Sequence, residues 1–164
     1  AYPDFLNQAL VQSGPAGEYV GGLVYTNILI PVDLSVESSW EKPFPVATAL
    51  ARLFNARLHV ITVIRDIDAM FEGRYLAGSY ERLINEAARQ LAALVTQNIP
   101  GEIGATSSVG QGIIYDEILR AAQTLQADLI VMASHRPEMK DYLLGATAAR
   151  VVRHARCSVF VVRD

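Results

Sequence analysis

Asn27-Ile28-Leu29-Ile30-Pro31-Val32-Asp33 is the stretch that decides the fold. Its apolar residues run on without polar alternation, the pattern of a strand buried on both faces, and such strands belong to parallel sheets covered by helices on either side. Pro31 has no N–H to give a neighbouring strand, which is tolerable only where pairing stops. It therefore puts the carboxyl end of this first strand, and Asp33 just beyond it, at the rim of the sheet.

Downstream, the same kind of run recurs between helical patterns. Val46, Ala49, Leu50, Leu53 and Phe54 fall at helical spacing and lead into Leu58 to Ile64, a run rich in β-branched residues. A longer amphipathic helix is expected from Tyr80, with Leu83, Ile84, Ala87, Leu91, Leu94 and Val95 on one stripe and Pro100-Gly101 as its stop. Thr106 to Val109 is a poor strand and is expected at a sheet edge. Gly112 then precedes a helix carrying Ile114, Ile118, Leu119, Ala122 and Leu125, with Asp116 and Glu117 in its electropositive first turn. Leu129 to Ala133 is the fourth strand. The fourth helix carries Ala148, Val151 and Val152 and has Arg150, Arg153 and His154 towards its negative end, and Ser158 to Val162 is the last strand. Strict alternation of strand and helix implies crossover connections, hence a single-domain α/β fold: an open, parallel, five-stranded, Rossmann-like sheet with helices on both faces.

A length of 164 residues with 51% apolar and 19% charged residues suits one globular domain. Residues 1–25 carry Pro3, Pro15 and four glycines (Gly14, Gly17, Gly21, Gly22) and read as an appendage, leaving 26–164 as the domain. A net charge of -3 argues against sequence-blind attraction to nucleic-acid phosphates. One cysteine, Cys157, excludes an intramolecular disulfide, and with three scattered histidines it forms no zinc pattern, so no metal ligand set is expected. No Lys or Arg precedes Lys42 and no apolar run reaches the roughly 18 residues of a membrane span, which makes the expected location the cytoplasm, off the membrane.

In an open parallel sheet, ligands bind beyond the carboxyl ends of the strands, where successive connections change direction. The candidate residues are therefore at Asp33-Leu34-Ser35, at Arg65-Asp66, and in the eleven residues from Ser134 to Leu144, longer than the roughly 2–6 residues usual for such a connection. That loop meets Gly145-Ala146-Thr147, where a glycine lets an anion approach the backbone and the free N–H groups of the next helix attract it. Arg136 and Lys140 could add positive charge. Simpler roles compete: Asp33 as a cap of the first helix, Trp40 and Phe44 as packing over that helix rather than a wall for a base, and Cys157 as an inert buried thiol. Asp66, Asp68 and Glu72 could approach a nucleotide-bound Mg2+, although hydrated loop acids are the commoner case.

At these residues the chain resembles the universal stress protein family, whose fourth strand is followed by G-x-x-G-x9-G-[ST]. Here Ala133-Ser134-His135-Arg136 is followed by eight residues and then Gly145-Ala146-Thr147, so alanine and arginine stand where the family has its first two glycines and the interval is one residue shorter. The resemblance spans about residues 27–163 and includes Pro31-Val32-Asp33, Gly112, the Ser134-His135-Arg136-Pro137 run and the closing Val151-Val152-Arg153-His154-Ala155-Arg156-Cys157-Ser158-Val159. It looks like a subgroup with a shortened loop. It implies an adenine nucleotide alpha hydrolase-like fold and a site for ATP or another adenine nucleotide, with Mg2+ arriving on the phosphates. By that resemblance Asp33 accepts hydrogen bonds from ribose hydroxyls, backbone groups at Val32 and Val63 read the adenine edge, and Pro31, Met132 and Ala133 line the pocket. Amides at Gly145, Ala146 and Thr147 take the phosphates, with His135 or Arg136 as auxiliary donors. It further implies a regulatory binding module and a homodimer through the C-terminal strand. A nucleotide-free dimer and a slow ATPase or phosphotransferase are the alternatives, and the chain lacks G-x-x-x-x-G-K-[ST].

Overall fold

The computed structural model describes residues 24–65, 77–134 and 144–163. Within them strands and helices alternate: β1 (Asn27–Val32), α1 (Pro43–Phe54), β2 (Arg57–Ile64), α2 (Ala77–Asn98), β3 (Thr106–Gln111), α3 (Ile114–Thr124), β4 (Leu129–Ala133), α4 (Ala146–His154) and β5 (Ser158–Val162). Single turns of 3-10 helix stand at Glu37–Ser39 and Gly101–Ile103. Every strand pair is parallel, and the sheet order is β3-β2-β1-β4-β5. The chain thus steps outward from β1 to β2 to β3, then crosses back to place β4 on the other flank of β1. The direction of winding reverses at β1.

Strand geometry explains the unbroken apolar run. Successive side chains point to opposite faces, so a strand with helices on both sides needs apolar residues at every position. Ile28, Ile30 and Val32 pack with Phe44, Ala47 and Ala51 of α1 and with Leu91 and Val95 of α2. Leu29 points the other way, into a second cluster with Ile61, Ile130 and Met132, covered by Ile118 and Ala122 of α3 and Ala148 and Val151 of α4. Ile28, Leu29 and Ile30 are fully buried, each contributing about 1.5–3 kcal/mol of transfer free energy.

Three boundaries differ from the sequence expectation, the first being α2, which begins at Ala77 rather than at Tyr80. Helix α1 begins at Pro43 rather than near Val46, because a missing N–H and a fixed φ suit the first turn, and it ends at Asn55, held left-handed at φ 54. Strand β3, expected to stop at Val109, runs to Gln111 and pairs along its length with β2, from His59↔Thr106 to Ile64↔Gln111. It is an edge strand, as its polar composition suggests.

The two flanks of β1 are paired unequally. Against β2 the ladder runs from Asn27↔Arg57 to Val32↔Thr62, whereas against β4 it holds only Ile28↔Leu129 and Leu29↔Ile130. Backbone groups along a parallel strand face its two neighbours alternately. The Thr26 carbonyl accepts from Arg57 N (2.9 Å) on the β2 side, and the Asn27 carbonyl accepts from Asp128 N (3.0 Å) on the β4 side. Alternation from Asn27 turns Leu29 and then Pro31 towards β4, so the donor that proline lacks is missing from that seam. Beyond Leu29 the registered pairing with β4 ends.

The amino end of the same seam is clamped. Asp128, just before β4, accepts from Thr26 N and Thr26 Oγ1 at 2.7 Å each through Oδ2, and from Asn27 N at 3.1 Å through Oδ1. The Asp128→Ala variant loses all three bonds and is expected to be about 1–3 kcal/mol less stable, read as a lower urea midpoint. An unchanged midpoint would show that the clamp does not hold β1 to β4.

Candidate functional site

A cleft of about 270 Å3 opens at the carboxyl ends of β1 and β4. It is lined by Pro31, Val32 and Asp33 from β1 and its end, Val63 from β2, Met132 and Ala133 from β4, and Gly145, Ala146 and Thr147 at the start of α4. Ile114 and Ile118 of α3 close it on the helix side. The structure thus brings nine of the eleven residues singled out from the sequence to one place, and the remaining two, His135 and Arg136, lie outside the described residues.

Asp33 follows the last residue of β1 and organises a tight turn. Its carbonyl accepts from Val36 N at 2.9 Å, and its Oδ1 accepts from Ser35 N at 3.0 Å and Ser35 Oγ at 2.6 Å. This is the local pattern in which an aspartate bonds the backbone two residues on. It replaces the helix-cap alternative, since α1 does not start until Pro43. The side chain is exposed at the cleft. An ionised carboxylate offers about four lone-pair positions and no donor, and Ser35 engages Oδ1 alone in two bonds. The chemistry left to Asp33 is acceptance from hydroxyl or N–H donors.

Val63 matters through its backbone. Arg57 N bonds towards β1 and the Ile64 carbonyl accepts from Gly112 N (2.9 Å) on the β3 side, so odd-numbered residues of β2 face β1. Val63 is the last of these within β2, and it lies one position beyond the final β1–β2 pair, Val32↔Thr62. Its carbonyl therefore stands beyond the last β1–β2 pair, beside Asp33.

At the far side, α4 begins without a side-chain cap on Gly145. Its first intrahelical bond runs from Ala149 N to the Gly145 carbonyl at 2.8 Å, so the N–H groups of Ala146, Thr147 and Ala148 have no acceptor inside the helix. Together with the helix dipole they favour an anion at the cleft mouth. Gly145 has φ -54 and ψ 148, a conformation open to any residue, so its glycine character is not explained by backbone strain. It is buried, with Thr147 half-buried and Ala146 exposed.

Of the polar and charged lining residues, Ser39 had no place among the sequence-derived candidates, whereas Arg65 stood among the strand ends. Arg65 is the one cation, and Asp33 the one anion, among the described residues of the lining. Strand parity puts Arg65 on the same face as Ile61 and Val63, a signal that period-two reading contains. Ser39 is 8% exposed, and its role depends on a turn that no periodicity reveals. Other candidates fall elsewhere. Phe44 is buried and Trp40 partly buried in the cluster on the opposite face, so both pack rather than wall the cleft. His59 Nδ1 meets Thr106 Oγ1 at 2.6 Å in the amino half of β2, and burial, then the Arg57 charge, lowers its pKa. His154 is exposed at the end of α4. Among the described residues no group of three or more His, Cys, Asp or Glu side chains could hold a metal ion, and no helix is long and apolar enough to cross a membrane.

A parallel α/β sheet whose winding reverses at a cleft between an acidic strand end and an uncapped helix start places the chain in the doubly wound class. The chain belongs to the universal stress protein family, whose model matches residues 25–163. It is 32% identical over 152 residues to the universal stress protein MJ0531 of Methanocaldococcus jannaschii, covering 87% of this chain and 85% of that one. Among solved structures it is similar to a universal stress protein in complex with cAMP, with a TM-score of 0.55 at 20% identity over 85% of this chain and 97% of that one. It is also similar to a universal stress protein family protein from Arabidopsis thaliana with AMP bound, with a TM-score of 0.56 at 18% identity over 84% and 90% of the respective chains.

Cys157 lies outside this cleft, before β5. Burial, and then the Asp128 charge, raise its thiol pKa, while a backbone hydrogen bond works the other way. A raised pKa means less thiolate than a free cysteine has at the same pH, so alkylation by iodoacetamide at pH 8 should be slower than that of a model thiol and should quicken as pH climbs. The Asp128→Asn variant should react faster than the parent. Alkylation at the rate of a free thiol would contradict this account of the site.

Proposed function

We propose that the cleft binds an adenine nucleotide, ATP foremost, and that the protein works as a nucleotide-responsive binding module in the cytoplasm. The observation that carries this reading is the cleft beyond the last registered β1–β4 pair, which has an acceptor, Asp33, on one side and the uncapped start of α4 on the other. A nucleotide has the complementary polarity: hydroxyl donors on its ribose, anionic oxygens on its tail, and a flat base between. The ribose hydroxyls donate to Asp33, the base lies towards Val63 and the apolar side chains of Ile114 and Ile118, and the phosphates lie against the amides of Ala146 and Thr147. A volume of about 270 Å3 is near the lower end of the roughly 300–1,000 Å3 usual for small-molecule pockets, enough for the nucleoside while the phosphates stay at the open mouth. Mg2+ accompanies those phosphates and needs no dedicated protein cage. The relatives with cAMP and AMP support the nucleotide class.

Titration with ATP, AMP and cyclic AMP by calorimetry tests the reading. The parent protein should bind at least one of them, and both Asp33→Ala and Gly145→Val should weaken that affinity about tenfold or more, one by removing the acceptor and the other by placing a side chain at the phosphate approach. Unaltered affinity in both variants rejects this site, and an absence of binding by the parent rejects the nucleotide. Multiple turnover of ATP would assign the protein to slow hydrolysis instead.

The assembly that goes with this function is a homodimer through the edge of β5. Among the described residues the strand pairs only with β4, so its outer edge suits a second copy, and two-fold pairing of identical edges protects such an edge. Phe160, 47% exposed, stands on that strand and supplies an apolar contact. Sedimentation equilibrium should give a dimer for the parent and a monomer for Phe160→Glu. A monomeric parent, or a variant that stays dimeric, contradicts this interface.

A further inference from the structure

Ser39 holds both backbone polar groups of Asp33. Its Oγ accepts from Asp33 N at 2.9 Å and donates to the Asp33 carbonyl at 3.0 Å, and the residue is 8% exposed in the cleft wall. The residue is in turn fixed from the 3-10 turn at Glu37–Ser39, where Ser39 N donates to the Val36 carbonyl at 3.0 Å. The Val36 N–H returns to the Asp33 carbonyl at 2.9 Å, and Ser35 fixes Oδ1 from the other direction. Asp33 has already left the β1 ladder, whose last pair is Val32↔Thr62. The Ser39 hydroxyl therefore does for Asp33 what a neighbouring strand would otherwise do: it satisfies the N–H and fixes the peptide from which the carboxylate projects.

We propose that Ser39 is a positioning residue that sets the cleft's preference for ribose-bearing nucleotides by fixing the direction of the Asp33 carboxylate, an inference that rests on the nucleotide reading above. Ser39 itself has both hydrogen-bonding directions of its hydroxyl engaged by Asp33, so it acts through that residue and not on the ligand. Removing the hydroxyl leaves a partly buried N–H without its partner and frees the turn to relax. Relaxation of the turn misdirects the carboxylate, and the loss falls on ligands that use it.

The test compares ATP with 2′,3′-dideoxy-ATP, which lacks both ribose hydroxyls, by calorimetry on the full chain. Ser39→Ala should weaken ATP about tenfold while changing the dideoxy affinity less than twofold, and it should add no further loss in an Asp33→Ala background. Ser39→Cys, which keeps the shape but substitutes a weak donor and acceptor, should show the same selective loss and serves if the alanine variant fails to fold. Equal weakening of both nucleotides, an unchanged ATP affinity, or additive losses with Asp33→Ala overturns the inference while leaving the cleft a nucleotide site. Absence of ATP binding by the parent overturns the nucleotide reading and this inference with it.

Discussion

The missing N–H of Pro31 shapes the molecule. Backbone alternation aims that position at β4, and registered β1–β4 pairing ends after Leu29↔Ile130 while β1 and β2 stay paired through Val32. Had the donor been lacking on the other flank, the interruption would have fallen in a ladder that runs the full length of β1. At the opposite end Asp128 ties Thr26 and Asn27 to the start of β4, so the two strands are held where they enter the sheet and released where they leave it. The release is where the winding of the sheet reverses, and that coincidence makes the cleft.

The rest of the site follows from the opening. Once β1 stops pairing, Asp33 needs new partners for its own backbone, and a turn built from Ser35, Val36 and Ser39 supplies them. The same opening leaves Val63 beside a strand that has ended. Helix α4, seated on the second core cluster by Ala148 and Val151, presents its first amides across the gap. Rigid elements thus bring an acceptor and a set of donors to one cleft, with Ile114 and Ile118 as an apolar wall.

The fold was legible because burial on two faces writes itself into sequence as uninterrupted apolar runs, and because helices on such a sheet need a stripe at their own period. Ile28–Val32 and Leu129–Ala133 show this directly. The positions of Asp33 and of Gly145 to Thr147 were readable for a related reason: strand ends and helix starts are local. What could not be read was non-local. Asp128 reaches residues about a hundred positions away, and no pattern in sequence announces that pairing. Ser39 is close to Asp33 in the chain, yet its hydroxyl meets that backbone only through the particular turn formed between them. Arg65 was readable for the same local reason as Asp33, since it follows directly on the end of β2.

The central claim is that a nucleotide lodges at the carboxyl ends of β1 and β4. A crystal structure grown with ATP measures this most directly. The account predicts the ribose within hydrogen-bond distance of Asp33, the base towards Val63, and a phosphate at the Ala146 and Thr147 amides. ATP found elsewhere on the molecule, or β1 and β4 paired to their ends with the cleft closed, would contradict it.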